Sequence, residues 1–305
     1  MKKNIPPNLF LKKKEKIQLK NFKKYLENKK NIIDRALDEY LPPEEKSPSI
    51  IHKAIRYSVF GGGKRIRPIL TLATAELFGR DAECVLKAAC GIELIHTFSL
   101  IHDDLPCIDN DDFRRGKPSN HKVFGEAIAL LAGDALLVSG FDLIIKNSEV
   151  KEIKKQSVLK VIKEVSFYVG TENMLGGQVE DIALKNEDTT KADLINLYMK
   201  KTASLICLSI RSGAILSGAN QRQLKALTKY SEKIGLAFQI IDDMLDIMQD
   251  QRDTGKPNYA NKFGMKESKS ECERLIKDAK DSLKIFNHKA EILRNIADYL
   301  ITRKK

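Results

Sequence analysis

Two short runs of aspartate sit inside sequence that is otherwise apolar with helical period. The first is Asp103-Asp104-Leu105-Pro106-Cys107-Ile108-Asp109-Asn110-Asp111-Asp112, entered from Phe98-Ser99-Leu100-Ile101. The second is Asp242-Asp243-Met244-Leu245-Asp246, entered from Phe238-Gln239-Ile240-Ile241. A buried carboxylate is costly unless a cation or hydrogen bonds compensate it, so the fold must bring partners to both runs. Asp242, Asp243 and Asp246 fall at about 0°, 100° and 40° around a helix, which predicts three carboxylates on one face. Asp103 and Asp109 would stand about 240° apart on a continuous helix. Pro106 disfavours helix at the residue before it and predicts a turn that brings Asp109 back. Oxygen ligands of this kind suit Mg²⁺, which a few carboxylates hold while waters or substrate phosphates complete the octahedron. One such cluster is equally well an exposed helix end, but two in apolar surroundings are hard to explain that way.

The remaining sequence predicts an all-α fold. Apolar residues recur with helical spacing at Ile32-Ile33-Ala36-Leu37-Tyr40, Ile69-Leu70-Ala73-Leu77, Ala88-Ile92-Ile95 and Ile128-Leu131-Ala135-Val138, and runs of β-branched alternation are missing. The breaks at Pro42-Pro43, Gly61-Gly62-Gly63, Pro106, Gly116-Lys117-Pro118, Asn186-Glu187-Asp188 and Gly255-Lys256-Pro257 are turn chemistry between helices. No linker marks a domain boundary, so the 305 residues read as one large helical bundle, residues 31–305, behind a Lys-rich segment, residues 1–30. The stretch from Gly125 to Ile145 is apolar almost all round and is expected to be central.

Lys and Arg number 53 against 41 Asp and Glu, a formal charge of +12. That favours an anionic partner without choosing among nucleic acid, acidic lipid and small phosphorylated molecules. Much of the excess lies in N-terminal lysines that read as a solvated face. A nucleic-acid binder is disfavoured by the lack of clustered aromatics or a recognition helix. Met1 to Lys16 lacks a signal-length apolar run, and no stretch approaches the roughly 18–20 apolar residues of a membrane span, so a soluble, cytoplasmic protein is expected. Five cysteines without C-x-x-C spacing are expected to be buried reduced thiols.

Basic residues sit where they can answer the aspartates. Gly61-Gly62-Gly63-Lys64-Arg65-Ile66-Arg67-Pro68 is a glycine turn leading into a helix, with Lys64 and Arg67 three residues apart. It frees backbone N–H groups for an anion. Arg114-Arg115-Gly116 follows the first aspartate run, and Arg suits bidentate phosphate oxygens. Bases beside metal-binding carboxylates read as a diphosphate site.

These residues resemble the trans-isoprenyl diphosphate synthases over about residues 30–300. Gly62-Gly63-Lys64-x-x-Arg67-Pro68 is similar to the family's first basic motif. Asp103-Asp104-x4-Asp109 looks like its first aspartate motif in the bacterial and plant form, and Asp242-Asp243-x-x-Asp246 like its second. Gly176-Gly177-Gln178 and Lys201-Thr202 also match. The resemblance implies the isoprenoid synthase type I fold, a homodimer and three Mg²⁺ per site. It implies that Lys64, Arg67, His96 and Arg115 hold isopentenyl diphosphate, and that Arg114, Lys201, Thr202, Gln239 and Lys256 hold the allylic diphosphate. Asp103, Asp109 and Asp242 would bind the metal directly, with Asp104, Asp243 and Asp246 in support. His96 lies seven residues before Asp103, about 20° off the same face. Phe98, five residues before Asp103, would narrow the tunnel floor and make the product farnesyl diphosphate (C15), with geranylgeranyl diphosphate (C20) as the alternative. The segment between Asp246 and Gly264 is short for the family, so Lys262 competes with Lys256 as the retained lysine. A terpene cyclase would replace the second motif with an Asn/Ser/Glu triad, which is absent. A di-iron bundle needs the spacing of Glu93-Leu-Ile-His96 twice, and it occurs once.

Overall fold

The structure is a computed structural model that describes residues 13–184, 189–248 and 257–302. The helical spacing of apolar residues becomes thirteen α-helices among the described residues: α1 (Lys13–Tyr40), α2 (Ser49–Val59), α3 (Ile66–Leu77), α4 (Leu86–Asp103), α5 (Asn120–Phe124), α6 (Glu126–Lys146), α7 (Lys155–Val169), α8 (Met174–Ala183), α9 (Lys191–Tyr198), α10 (Ser204–Leu216), α11 (Gln221–Met248), α12 (Tyr259–Ser282) and α13 (Glu291–Thr302). The strands found among these residues are the two-residue pair β1 (Phe113–Arg114) and β2 (Lys117–Pro118), antiparallel to each other. Helix α1 runs unbroken across residue 30, because Phe22, Ile33 and Leu37 keep one apolar face packed on the core along its length.

Helices α3, α4 and α10 form the centre, each with most of its residues buried. Helix α4 lies closely along α6, where a methyl group on Gly91 would fall 2.6 Å from the Gly140 carbonyl oxygen. Helix α6 corrects the expectation of a central element. Its inner face (Ala129, Ala132, Leu136, Leu143) is buried, but Leu130, Leu131, Val138 and Ile145 stand on the surface, Val138 at 68% exposure. The fold covers one side of this apolar circumference and leaves the other on the surface.

Two further expectations change. The segments Ala82–Asp103 and Glu126–Glu149 are long and apolar enough, by length and composition, to cross a membrane. Isolated acidic residues such as Asp134 and Asp142 interrupt the apolar runs without lowering their overall apolarity. The first segment is 67% buried inside the fold and the second 39%. Cys90, Cys207 and Cys272 are buried and Cys84 half-buried, whereas Cys107 is exposed, because Pro106 carries it out of α4 into a loop.

Candidate active site

Helix α4 delivers the first aspartate run to the rim of the bundle. It ends at Asp103, Asp104 forms its C-cap, and the chain then doubles back. The Ile108 N–H donates to the Leu105 carbonyl (2.9 Å) and the Asp109 N–H to the Asp103 carbonyl (2.9 Å), so Asp109 returns beside Asp103 as the proline predicted. Asp104 turns inward and is buried, bonded by the Arg114 guanidinium through Nε at 2.9 Å and through Nη2, which also reaches Asp111 at 3.2 Å. Arg115 and Gly116 both take positive φ (55° and 76°), the geometry of a tight two-residue hairpin turn. The hairpin thus sends its two arginines different ways. Arg114 braces Asp104, and Arg115 crosses to donate to the Gly62 carbonyl. Gly62 and Gly63 (φ 110° and 123°) adopt a backbone that L side chains avoid, and a Cβ on Gly63 would fall 2.7 Å from Arg115 Nη1.

That contact joins the glycine turn to the first aspartate run. Lys64 stands exposed at the turn, while Arg67 lies in the first turn of α3 with Nη1 3.1 Å from His96 Nε2 on α4. Burial, with Arg67, Arg115 and Arg114 close by, holds His96 well below the usual histidine range, so the ring is neutral. Arg67 can only donate, which makes Nε2 the acceptor and places the ring proton on Nδ1, a buried atom without a hydrogen-bond partner among the described residues. Three guanidiniums around a neutral donor suit a polyanion.

The second run is read differently in space than on a helical wheel. On α11, Asp242 and Asp246 are half-buried, but Asp243 is buried and faces inward. It accepts from the Tyr198 hydroxyl (2.5 Å), Gln239 Nε2 (3.0 Å) and the Tyr259 N–H (3.0 Å). Burial nevertheless pushes its carboxyl up to about 6. The expectation of three aspartates on one open face is corrected: the 100° that separates Asp243 from Asp242 is enough to give it to a neighbouring helix. Gln239 continues the chain of bonds by accepting from the Thr202 hydroxyl at 2.8 Å. Lys201 bonds Asp181 at 2.7 Å. Both Lys201 and Thr202 lie in a π-helical turn, Met199–Ala203, between α9 and α10. From this wider turn Lys201 reaches Asp181 on α8 and Thr202 reaches Gln239 on α11, and π-bulges of this kind are common at functional sites. A Cβ on Gly177 would fall 2.6 Å from the Lys201 N–H nitrogen, so Gly177 is the seat of that turn.

Lys201 connects the two halves electrostatically. Burial, and secondarily Asp109, raise Asp103 to about 6, and Lys201 is the foremost cation opposing that rise. Among the described residues no three His, Cys, Asp or Glu side chains form a ready-made metal cage. Asp104 and Asp243 are held by protein partners, whereas Asp103 and Asp109 meet in the turn after α4 and Asp242 and Asp246 stand half-buried on α11.

The family model described as polyprenyl synthetase matches residues 48–262. The chain belongs to the polyprenyl synthetase family. It is 40% identical over 294 residues to a geranylgeranyl diphosphate synthase from Cyanophora paradoxa, covering 93% of this chain and 97% of that one. It is 42% identical over 296 residues to a dimethylallyltranstransferase from Fischerella ambigua, covering 93% and 84%. Its fold superposes on an FPP/GFPP synthase from Zymomonas mobilis with a TM-score of 0.85 and 36% identity, covering 92% of this chain and 99% of that one. The protein is a prenyltransferase with the all-α type I isoprenoid synthase fold.

Several residues of this prenyltransferase have roles that motif reading did not supply. Asp181 and Tyr198 hold Lys201 and Asp243; the only hint of Asp181 was its place three residues after Gln178. Both polar atoms of the Gln178 side chain are buried without partners among the described residues. Phe98 is buried and packs edge-on to His102, ring centroids 5.1 Å apart, with His102 Nε2 3.1 Å from the Leu130 carbonyl of α6. Lys256 lies outside the described residues. Lys262 donates to the Thr189 carbonyl at 2.6 Å.

Proposed function

We propose that this prenyltransferase condenses isopentenyl diphosphate with dimethylallyl or geranyl diphosphate to give farnesyl diphosphate. The observation that carries the reading is the pairing of a basic turn with an acidic rim. Lys64, Arg67, His96 and Arg115 make one anion site, and Asp103 with Lys201, Thr202 and Gln239 stands across from it. Bound Mg²⁺ would supply charge withdrawal from the allylic diphosphate. Lys201 and Arg114 add preorganised positive charge where negative charge builds on the leaving oxygen. The neutral Nδ1–H of His96 and the Arg67 guanidinium orient the isopentenyl diphosphate. Chain elongation then breaks the allylic C–O bond, forms a C–C bond and releases a proton, which the family resemblance assigns to the departing diphosphate. The site accordingly requires no side-chain base.

The C15 product rests on Phe98, a large buried ring on the helix that bears Asp103, packed edge-on to His102. A C20 product is the second reading, favoured by the name of the Cyanophora paradoxa relative. Phe98→Ala should lengthen the product by at least one five-carbon unit in a chromatographic assay, and an unchanged distribution rules out Phe98 as the floor. The exposed apolar face of α6 supports a homodimer, with a second copy covering Leu130, Leu131, Val138 and Ile145.

A further inference from the structure

Arg65 is the one basic residue of the glycine turn that faces away from solvent. It takes a left-handed backbone (φ 53°) at the N-cap of α3 and is only 3% exposed. Its guanidinium is shared among three elements. Nε donates to Asp34 on α1 at 2.7 Å, Nη1 to Glu93 on α4 at 2.9 Å, and Nη2 to the Val59 carbonyl at the end of α2 at 2.6 Å. Glu93 is itself 2% exposed. A buried ion pair is poor evidence for stability, since apolar residues of similar volume often serve as well. Position explains it better.

Glu93 and His96 are one turn apart on α4, and Arg65 and Arg67 are two residues apart on the turn that enters α3. Glu93 holds Arg65 while His96 meets Arg67, so α4 grips the basic turn at two adjacent points. We infer that Arg65, with Glu93 and Asp34, is a positioning group that sets Lys64 and Arg67 for the diphosphate of isopentenyl diphosphate. The inference rests on the proposed function above. It gives the Glu93-x-x-His96 spacing a purpose, which is to brace arginines.

The test is the double variant Arg65→Met/Glu93→Leu, which removes the grip and leaves no unpaired charge in the core at Glu93. Its KM for isopentenyl diphosphate should rise about 10- to 100-fold, the cost of a small misplacement of binding groups. The kcat at saturating isopentenyl diphosphate and the KM for geranyl diphosphate should stay within about threefold of wild type, the signature of lost uniform binding. Calorimetric titration with isopentenyl diphosphate should show the same weakening. An unchanged KM, or equal rises in both KM values, overturns the inference. If the double variant does not fold, E93Q, which keeps one oxygen for Arg65, should give the same split at smaller size, and no split there overturns it equally. A wild-type protein that neither binds nor turns over isopentenyl diphosphate contradicts instead the function on which the inference rests.

Discussion

Asp103 and Asp109 share the turn after α4, and Asp242 lies on α11. If these carboxylates hold the metal, Asp103→Ala and Asp242→Ala should each lower kcat by about 10²-fold or more, with the helical circular dichroism unchanged. His96 invites a different measurement. Burial and its arginine neighbours keep its folded pKa well below the usual value. As pH falls through about 6.5 the unfolded chain takes up a proton that the folded ring refuses, and stability declines. In His96→Gln, whose side-chain oxygen can still accept from Arg67, that part of the decline should vanish. Denaturant melts of both proteins between pH 5 and 8 would read the difference, and parallel curves would contradict a neutral His96. At this scale the sequence was legible where chemistry is local: Pro106 predicted the return of Asp109. It was not legible for Asp243, because a helical wheel gives direction about an axis and not what lies there. The Tyr198 hydroxyl that meets Asp243 comes from 45 residues away.

Among the elements, the π-helical turn Met199–Ala203 has the greatest effect on the site and left no mark in the hydrophobic pattern. It depends on a close approach of α8, and Gly177 permits that approach. Gly177→Ala should displace the turn and with it Lys201 and Thr202, raising the KM for the allylic substrate about 10-fold or more while leaving that for isopentenyl diphosphate nearly unchanged. Steady-state kinetics with each substrate varied in turn would detect the asymmetry, and equal effects on both would place the turn outside the allylic site. Helix α6 shows the opposite limit of legibility. Its all-round apolarity read as a central place, but α4 already fills the centre of the bundle, and one face of α6 is left on the surface.

For the whole molecule, the outer face of α6 predicts self-association. The purified protein should sediment at about twice 34.4 kDa, and Val138→Asp should shift it toward the monomer, because an unpaired charge is costly in an apolar interface. A monomeric wild type would contradict that use of the face. The excess positive charge also resolves at this scale. Lys29 pairs with Glu76 and Lys30 with Asp34 along α1, whereas Lys64, Arg67, Arg114, Arg115 and Lys201 gather around the acidic rim. The proposed function gives this arrangement a small diphosphate, carried with a divalent cation, as its partner. Chromatography of the products from isopentenyl diphosphate with dimethylallyl or geranyl diphosphate, run with Mg²⁺ and again with a chelator, tests this directly. Farnesyl diphosphate should accumulate with Mg²⁺ and be lost with the chelator, whereas no elongation under any condition, or a cyclised hydrocarbon, would contradict it.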